Sequence, residues 1–311
     1  MLTRISAGLG ILVVLFIAAY GLPAPNVQAP APKDDTSDIA RVLFAGDMFF
    51  DRYIRRITER VGGDFIFSCI RHRLLESDLV VGNLEGPITS HASVSAGTKP
   101  HDDGHFRFTF PPDTAELLKR NNIGAVSLGN NHIGNFGLDG MQQTRTALEA
   151  SGIHHFGGLG GDEPILRIEV AGVPLSFISY NQFGGNGPDA ILEKISAEKT
   201  AHRRTIVYAH WGEEYVPETA AMKETARLFA EADADAVIGS HPHVIQGSEY
   251  IGDTLVYYSL GNFIFDQYQS SDVTHGLLVL LLIPESPDKR ISVTEYPVIL
   301  TSDGRTCERE I

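Results

Sequence analysis

From residue 40 onward, short apolar runs alternate with segments of helical spacing. RVLFAG (41–46) has the continuous apolar character of a buried strand, and YIRRITERV (53–61) then repeats its apolar positions at the helical period. SDLVVG (77–82) predicts a second strand. A polar stretch rich in glycine and histidine (86–110) breaks the rhythm as a long loop or insert. PDTAELLKRN (112–121) opens with proline and aspartate, as helices do, and LDGMQQTRTALEASG (138–152) is a helix closed by glycine; GAVSLG (124–129) lies between them as a third strand. LRIEV and VPLSFISY, separated by AGVP, predict a hairpin. RTIVYAH (204–210), a helix over 217–232 and the short strand AVIG (236–239) follow, and the final third is strand-rich with turn signals between its runs. The alternating first half predicts a parallel or mixed sheet, and the hairpin-rich end predicts antiparallel additions, so the fold class is α/β.

The informative feature is what ends each run. RVLFAG runs into Asp47, DLVVGNL into Glu85, AVSLGN into Asn130, Asn131 and His132, TIVYA into His210, and AVIGS into His241 and His243. In open α/β sheets ligands bind outside the carboxyl ends of the strands, so these five termini are expected to meet on one rim. A mixture of carboxylates, imidazoles and an amide oxygen suits zinc, manganese or iron better than calcium, which prefers oxygen throughout. Two such ions would share a bridging carboxylate. An extended HPH would put His241 and His243 on one face.

Composition adds limits. With 25 Lys and Arg against 39 Asp and Glu, the formal charge is −14, and the basic surface that nucleic acid requires is missing. A polyanionic ligand would need local arginines, backbone amides or a bound cation. Residues 1–33 differ in kind: Arg4 is the only charged side chain before Lys33, and the apolar run from Ile5 to Leu22 has 18 residues. This predicts either a retained membrane anchor or a cleaved signal peptide, with the body outside the cytoplasm, or secreted if cleavage occurs. The proline-rich stretch PAPNVQAPAPKDD reads as a spacer. Of the two cysteines, Cys69 lies in FIFSCI, expected to be an apolar helix face holding a buried free thiol, the alternative being a pair with Cys307.

The stretches FAGDMFFDR (44–52), GNLEGPIT (82–89), SLGNNHIGNFG (127–137), HWGEEY (210–215), SHPHVIQG (240–247) and YSLGNFIFD (258–266) together resemble the CapA-type capsule-synthesis proteins of poly-γ-glutamate production, which are built on the calcineurin-like metallophosphoesterase fold. The resemblance implies a four-layer α/β/β/α sandwich with mixed sheets over residues 38–300 and the site at one rim. It implies Asp47, Asn131, His210, His241 and His243 as ligands of one or two divalent ions, with Asp47 bridging, and the strand-end carboxylate Glu85 is expected to join them. His132 would be a general acid or an orienter of the substrate oxyanion, in a catalytic set with Asp47 and Arg52. The wider fold has a histidine where Phe49 stands and an aspartate where Asn83 and Glu85 stand, and the capsule branch more often has aspartate in place of Asn135.

Each residue also has a plainer reading. Asp47 would accept hydrogen bonds at a turn, Glu85 would pair with Arg52 as a structural ion pair, His132 would cap the turn begun by Asn130, and His210 would stack on Trp211. The remaining histidines, His105 among them, match no motif and are expected on the surface or in loops. Two functions follow from different classes. One is a membrane-anchored, metal-dependent hydrolase or transferase acting on poly-γ-glutamate or a related anionic surface polymer. The other is a non-catalytic component of a polymer synthesis or export complex that holds the chain through a cation; a plain metallophosphodiesterase is the third reading.

Overall fold

The computed structural model describes residues 39–159, 162–185 and 187–309. The expected anchor and its spacer lie outside the described residues, and among those described no helix is long and apolar enough to cross a membrane. The chain first lays down β1 (Ile39–Met48), β2 (Leu79–Leu84), β3 (Ile123–Ser127) and β4 (His154–Phe156). It then builds a second sheet from β5 (Ile165–Val170), β6 (Val173–Asn181), β7 (Arg204–His210), β8 (Ala236–Ser240), β9 (Ser248–Ile251) and β10 (Thr254–Tyr257). Finally it returns to the first sheet with β11 (Asn262–Ile264), β12 (His275–Pro284), β13 (Ser292–Leu300) and β14 (Thr306–Glu308).

The first sheet has the order β14-β13-β12-β1-β2-β3-β4, with β11 beside the end of β1. β1 to β4 run parallel, and β12 to β14 add antiparallel strands to the outer side of β1. The second sheet has the order β5-β6-β7-β8-β10-β9, parallel from β6 through β10 and closed by an antiparallel strand at each edge. Both sheets are therefore mixed, as the alternation of the first half and the hairpins of the second predicted.

Two apolar faces on each sheet explain the layering. Phe44, Val81 and Val279 of the first sheet meet Phe177, Tyr208 and Ile238 of the second in the central core. On the outer face of the first sheet, the helices Arg52–Val61, Thr114–Arg120 and Gly137–Ala150 contribute Ile54, Leu118 and Leu148. On the outer face of the second, the helices Asp189–Thr200 and Ala220–Glu231 contribute Ile195 and Phe229. The result is the expected α/β/β/α sandwich. The helix Asp189–Thr200 escapes pattern reading because it buries only Ile191, Ile195 and Glu198.

The sheets converge at the carboxyl ends of their parallel strands, where two glycines permit backbone contact. A Cβ on Gly46 would sit 1.9 Å from the carbonyl oxygen of Gly261, and one on Gly239 would sit 1.9 Å from that of Tyr258. In their place the backbone binds directly: Asp47 N donates to Gly261 O at 3.1 Å, and Leu260 N donates to Gly239 O at 3.1 Å. Tyr208 adds a side-chain tie, its hydroxyl donating to Ala45 O at 2.6 Å. The segment after β10 thus stitches the end of β8 to the end of β1.

The expectation for Cys69 is overturned: it forms a disulfide with Cys307, Cα atoms 4.7 Å apart across 238 residues of sequence. FIFSCI is not one helix face, since helix Asp64–Phe67 ends before Cys69 and the next helix, Arg71–Leu75, begins after it. β14 brings Cys307 to that turn, a proximity no local pattern encodes. Closing so long a loop restricts the unfolded chain, so Cys307→Ser should lower unfolding stability by about 2–5 kcal/mol in denaturant titrations, with the same loss when the wild type is reduced.

Candidate metal centre

The hub of the rim is a pair of carboxylates. Asp47 and Glu85 are both fully buried, and the side-chain amide of Asn83 donates to Asp47 Oδ1 at 2.7 Å and also to Glu85 Oε2. Asn83 is itself held from behind, its Oδ1 accepting from Asn130 Nδ2 at 3.0 Å, while Asn130 Nδ2 also reaches Leu84 O at 2.7 Å. The register Asp47↔Asn83, adjacent in the β1–β2 ladder, is what sets these groups side by side. Asn130 spends its Oδ1 on the backbone N–H groups of His132 and Ile133, at 3.0 and 2.8 Å, so the turn is capped by the asparagine and not by the histidine.

Imidazoles from the second sheet close over this pair. His210 Nε2 lies 3.5 Å from Glu85 Oε1 and 2.9 Å from Asn131 Oδ1, and its ring packs against His241 at 4.7 Å between centroids. His243 Nδ1 lies 3.3 Å from Asp47 Oδ2 and 2.9 Å from Asn262 Oδ1. The HPH segment is not extended as expected: His241 and His243 have φ of 97° and 59°. Such left-handed backbone is costly for residues with a Cβ and persists only where its surroundings enforce it. Here Asp47 Oδ2 accepts from His241 N at 3.2 Å, Pro242 O accepts from Tyr215 N at 2.9 Å, and Asn262 Nδ2 reaches His243 O at 3.4 Å.

The rim therefore brings together Asp47, Glu85, His210, His241 and His243, with Asn131 at its exposed edge. His210 does not stack on Trp211, whose indole donates to Tyr258 O and packs on Phe229 behind the sheet. Arg52 does not pair with Glu85. Its guanidinium forks onto Asp266 at 3.0 and 2.5 Å, contacts His105 Nε2 at 3.0 Å and lies over the ring of Phe49. Arg52 instead walls a cavity of about 510 Å³ beside the hub, shared with His132 and His243. His105, expected on the surface or in a loop, lies in a loop of the 86–110 insert but is buried there, with Thr98 Oγ1 at 2.8 Å from its other ring nitrogen. Asn83, His105 and Asn262 are the contributors that strand-end reading undervalued. Phe49, at the position where the resemblance to the wider fold implies a histidine, stacks on Phe265 at 4.7 Å and so adds packing.

The electrostatics fit a cation. Burial and the neighbouring Asp47 charge push the Glu85 carboxyl well above the usual carboxylate range, against the opposing amide of Asn83. Burial and the adjacent imidazoles hold His210 well below its ordinary value; burial and His243 bring His241 down to about 4. Burial likewise lowers His132 to about 4. Burial opposes charge on His243 too, but the hydrogen bond and charge of Asp47, with Glu214 and Asn262, together outweigh it and raise the His243 value. One ligand atom each from Glu85, His210 and His241 lie within 4.8 Å of one another. Glu85 Oε1 and His241 Nδ1 are buried with no hydrogen-bond partner among the described residues. Unsatisfied buried polar atoms are costly, and neutral imidazoles beside a carboxylate are the donor set of a transition-metal ion. The residues present fit a divalent ion.

Comparison with known proteins finds several that resemble this chain. A family model described as bacterial capsule synthesis protein PGA_cap matches residues 41–267. The PGA biosynthesis protein CapA of Bacillus subtilis (strain 168) is 27% identical over 274 residues, spanning 82% of this chain and 71% of that protein. The capsule biosynthesis protein CapA of Bacillus anthracis is 26% identical over 281 residues, spanning 83% and 67% respectively. Among solved structures, zinc-complexed Vps29 of Entamoeba histolytica matches at 16% identity and a TM-score of 0.33, covering 75% of this chain and 97% of its own.

The depressed His241 value has a definite sign. In metal-stripped protein its contribution is fully present above the unfolded value of 6.5 and is lost as pH falls toward about 4. That loss amounts to about 3 kcal/mol, measurable by denaturant unfolding across this range, and His241→Gln should flatten the slope.

Proposed function

The chain belongs to the bacterial capsule-synthesis family matched by its residues 41–267, and from that premise we propose that it acts outside the cytoplasm, anchored by its N-terminal segment, in the synthesis or export of poly-γ-glutamate or a related anionic polymer. Its chemistry is that of a metal-dependent hydrolase or transferase centred on the rim. The observation that carries this reading is the Glu85, His210 and His241 cluster, whose buried Glu85 Oε1 and His241 Nδ1 lack any other partner among the described residues. The Cys69–Cys307 disulfide supports the extracytoplasmic location, because such bonds persist in oxidising compartments.

Glu85, His210 and His241 would hold the ion, with Asn131 at the open edge as a further oxygen donor. Zinc, manganese or iron suits this set, and such an ion supplies Lewis acidity at the rim. Asp47 keeps the His241 backbone and the His243 ring in place, and in a two-ion form it would be the bridging ligand. His132 faces the cavity with Nδ1 at 3.3 Å from Asn135 Oδ1 and its ring over Phe108. Being neutral before a substrate arrives, it is suited to orienting a substrate oxygen or accepting a proton more than to acting as a ready acid. Arg52, closed onto Asp266, shapes the cavity wall.

A second reading, a polymer-holding component without catalysis, draws on Phe49, which packs where the wider fold has a histidine, and on Asn83, which bridges the two carboxylates. Metal content by plasma mass spectrometry, measured beside hydrolysis of γ-glutamyl chains, separates the two. About one equivalent of ion is expected, lost in His210→Ala and His241→Ala. His132→Ala should keep the metal while turnover drops about 100-fold or more. Equal metal loss in all three variants would sink the role given to His132; bound metal without turnover in the wild type would favour the holding component.

A further inference from the structure

The cavity beside the hub carries two charges that the rim does not use. Arg56 lies one helical turn after Arg52 and shares its face, and Glu214 lies on the loop that follows His210; both line the cavity. Arg52 and Asp266, which also line it, satisfy each other. Among the described residues neither Arg56 nor Glu214 makes an ion pair; the guanidinium of Arg56 rests over Tyr53 at 5.6 Å, and Glu214 faces the Tyr215 hydroxyl, near enough to the hub for its charge to favour protonation of His241 and His243. Two opposite charges from different layers thus remain open in one space of about 510 Å³, a size that holds a small organic group.

On the far side of Tyr215 a second cavity, of about 390 Å³, has a different character. It is lined by Val216, Ile245, Glu218 and Asp272, and no lysine or arginine is among its described lining residues. Glu218 there is paired with Lys223 at 3.2 Å, so a polyanionic chain passing through both cavities would meet chiefly the carboxylate of Asp272, which makes no ion pair among the described residues. A chain that stops in the first cavity avoids that repulsion.

Building on the metal-centre reading above, we propose that the first cavity is a subsite for a zwitterionic end group: a carboxylate on Arg56 and an ammonium on Glu214. The rim is then presented with the terminal residue of an anionic amino-acid chain and not with its interior. This gives an acidic protein a local means of gripping a polyanion, and it makes the free amine of the chain end part of recognition.

The test uses the full-length, metal-loaded protein and calorimetric titration with a γ-linked glutamate tetramer, once with a free amino terminus and once N-acetylated. The free form should bind about fivefold more tightly, the scale of one exposed charge pair. Glu214→Gln should erase that difference without changing metal content, and Arg56→Gln should weaken both forms about fivefold. Equal affinities of the two tetramers for the wild type would overturn the subsite and leave the metal centre intact. Metal loss in Glu214→Gln would also overturn it, by making Glu214 a ligand. If neither tetramer binds to protein that retains its metal, the subsite and the polymer assignment both fail. If the wild type holds no metal, the metal-centre reading fails, while the contrast between tetramers still decides the subsite.

Discussion

Two carboxylates buried without a basic side chain between them set the terms for the whole rim. Asp47 and Glu85 share one amide donor, Asn83, and because a neutral amide does not balance two negative charges, Glu85 is pushed well above the usual carboxylate range. The protein answers with polar groups from every neighbouring strand end: Asn130 behind Asn83, the His241 backbone and His243 ring on Asp47, and His210 opposite Glu85. One oxygen of Glu85 and one nitrogen of His241 keep no hydrogen-bond partner among the described residues, and a divalent cation would suit both.

That arrangement depends on bringing two sheets closer at one end than side chains would allow. The contacts of Gly46 with Gly261 and of Gly239 with Tyr258 are made backbone to backbone, and they carry Asp47 within reach of the HPH segment. The left-handed His241 and His243 follow from the same constraint. An extended segment would have continued β8 away from the first sheet, whereas the turned one folds both rings back over the hub. Strain at these two residues is offset by the hydrogen bonds from His241 N to Asp47 and from Tyr215 N to Pro242.

The cavity beside the hub shows the same interplay of layers. Its wall is the insert over residues 86–110, which supplies His105 and Phe108, together with Arg52 from the first helix and Asp266 from the segment after β11. Because Arg52 is already closed onto Asp266 and packed on Phe49, its charge is not free to compensate Glu85. Against a formal charge of −14 over the chain, Arg56 in the cavity lining is a local point at which an anion would meet less repulsion.

The sequence by itself determined the elements and their polarity. Apolar runs such as RVLFAG and SDLVVG had to be buried strands, and parallel strands put their carboxyl ends on one edge, so Asp47, Glu85, His210, His241 and His243 were legible as one group before any coordinate. Only the tertiary structure decided how they divide: Asp47 with His243 on one side, Glu85 with His210 and His241 on the other. That division depends on β1–β2 register and on turned backbone at the histidines, neither of which leaves a periodic signal. It likewise decided that Arg52 faces Asp266, that His105 is interior and that Cys69 meets Cys307. These pairings join segments far apart in the chain, and their proximity is created by the packing of sheets and insert, which no local pattern of side chains contains.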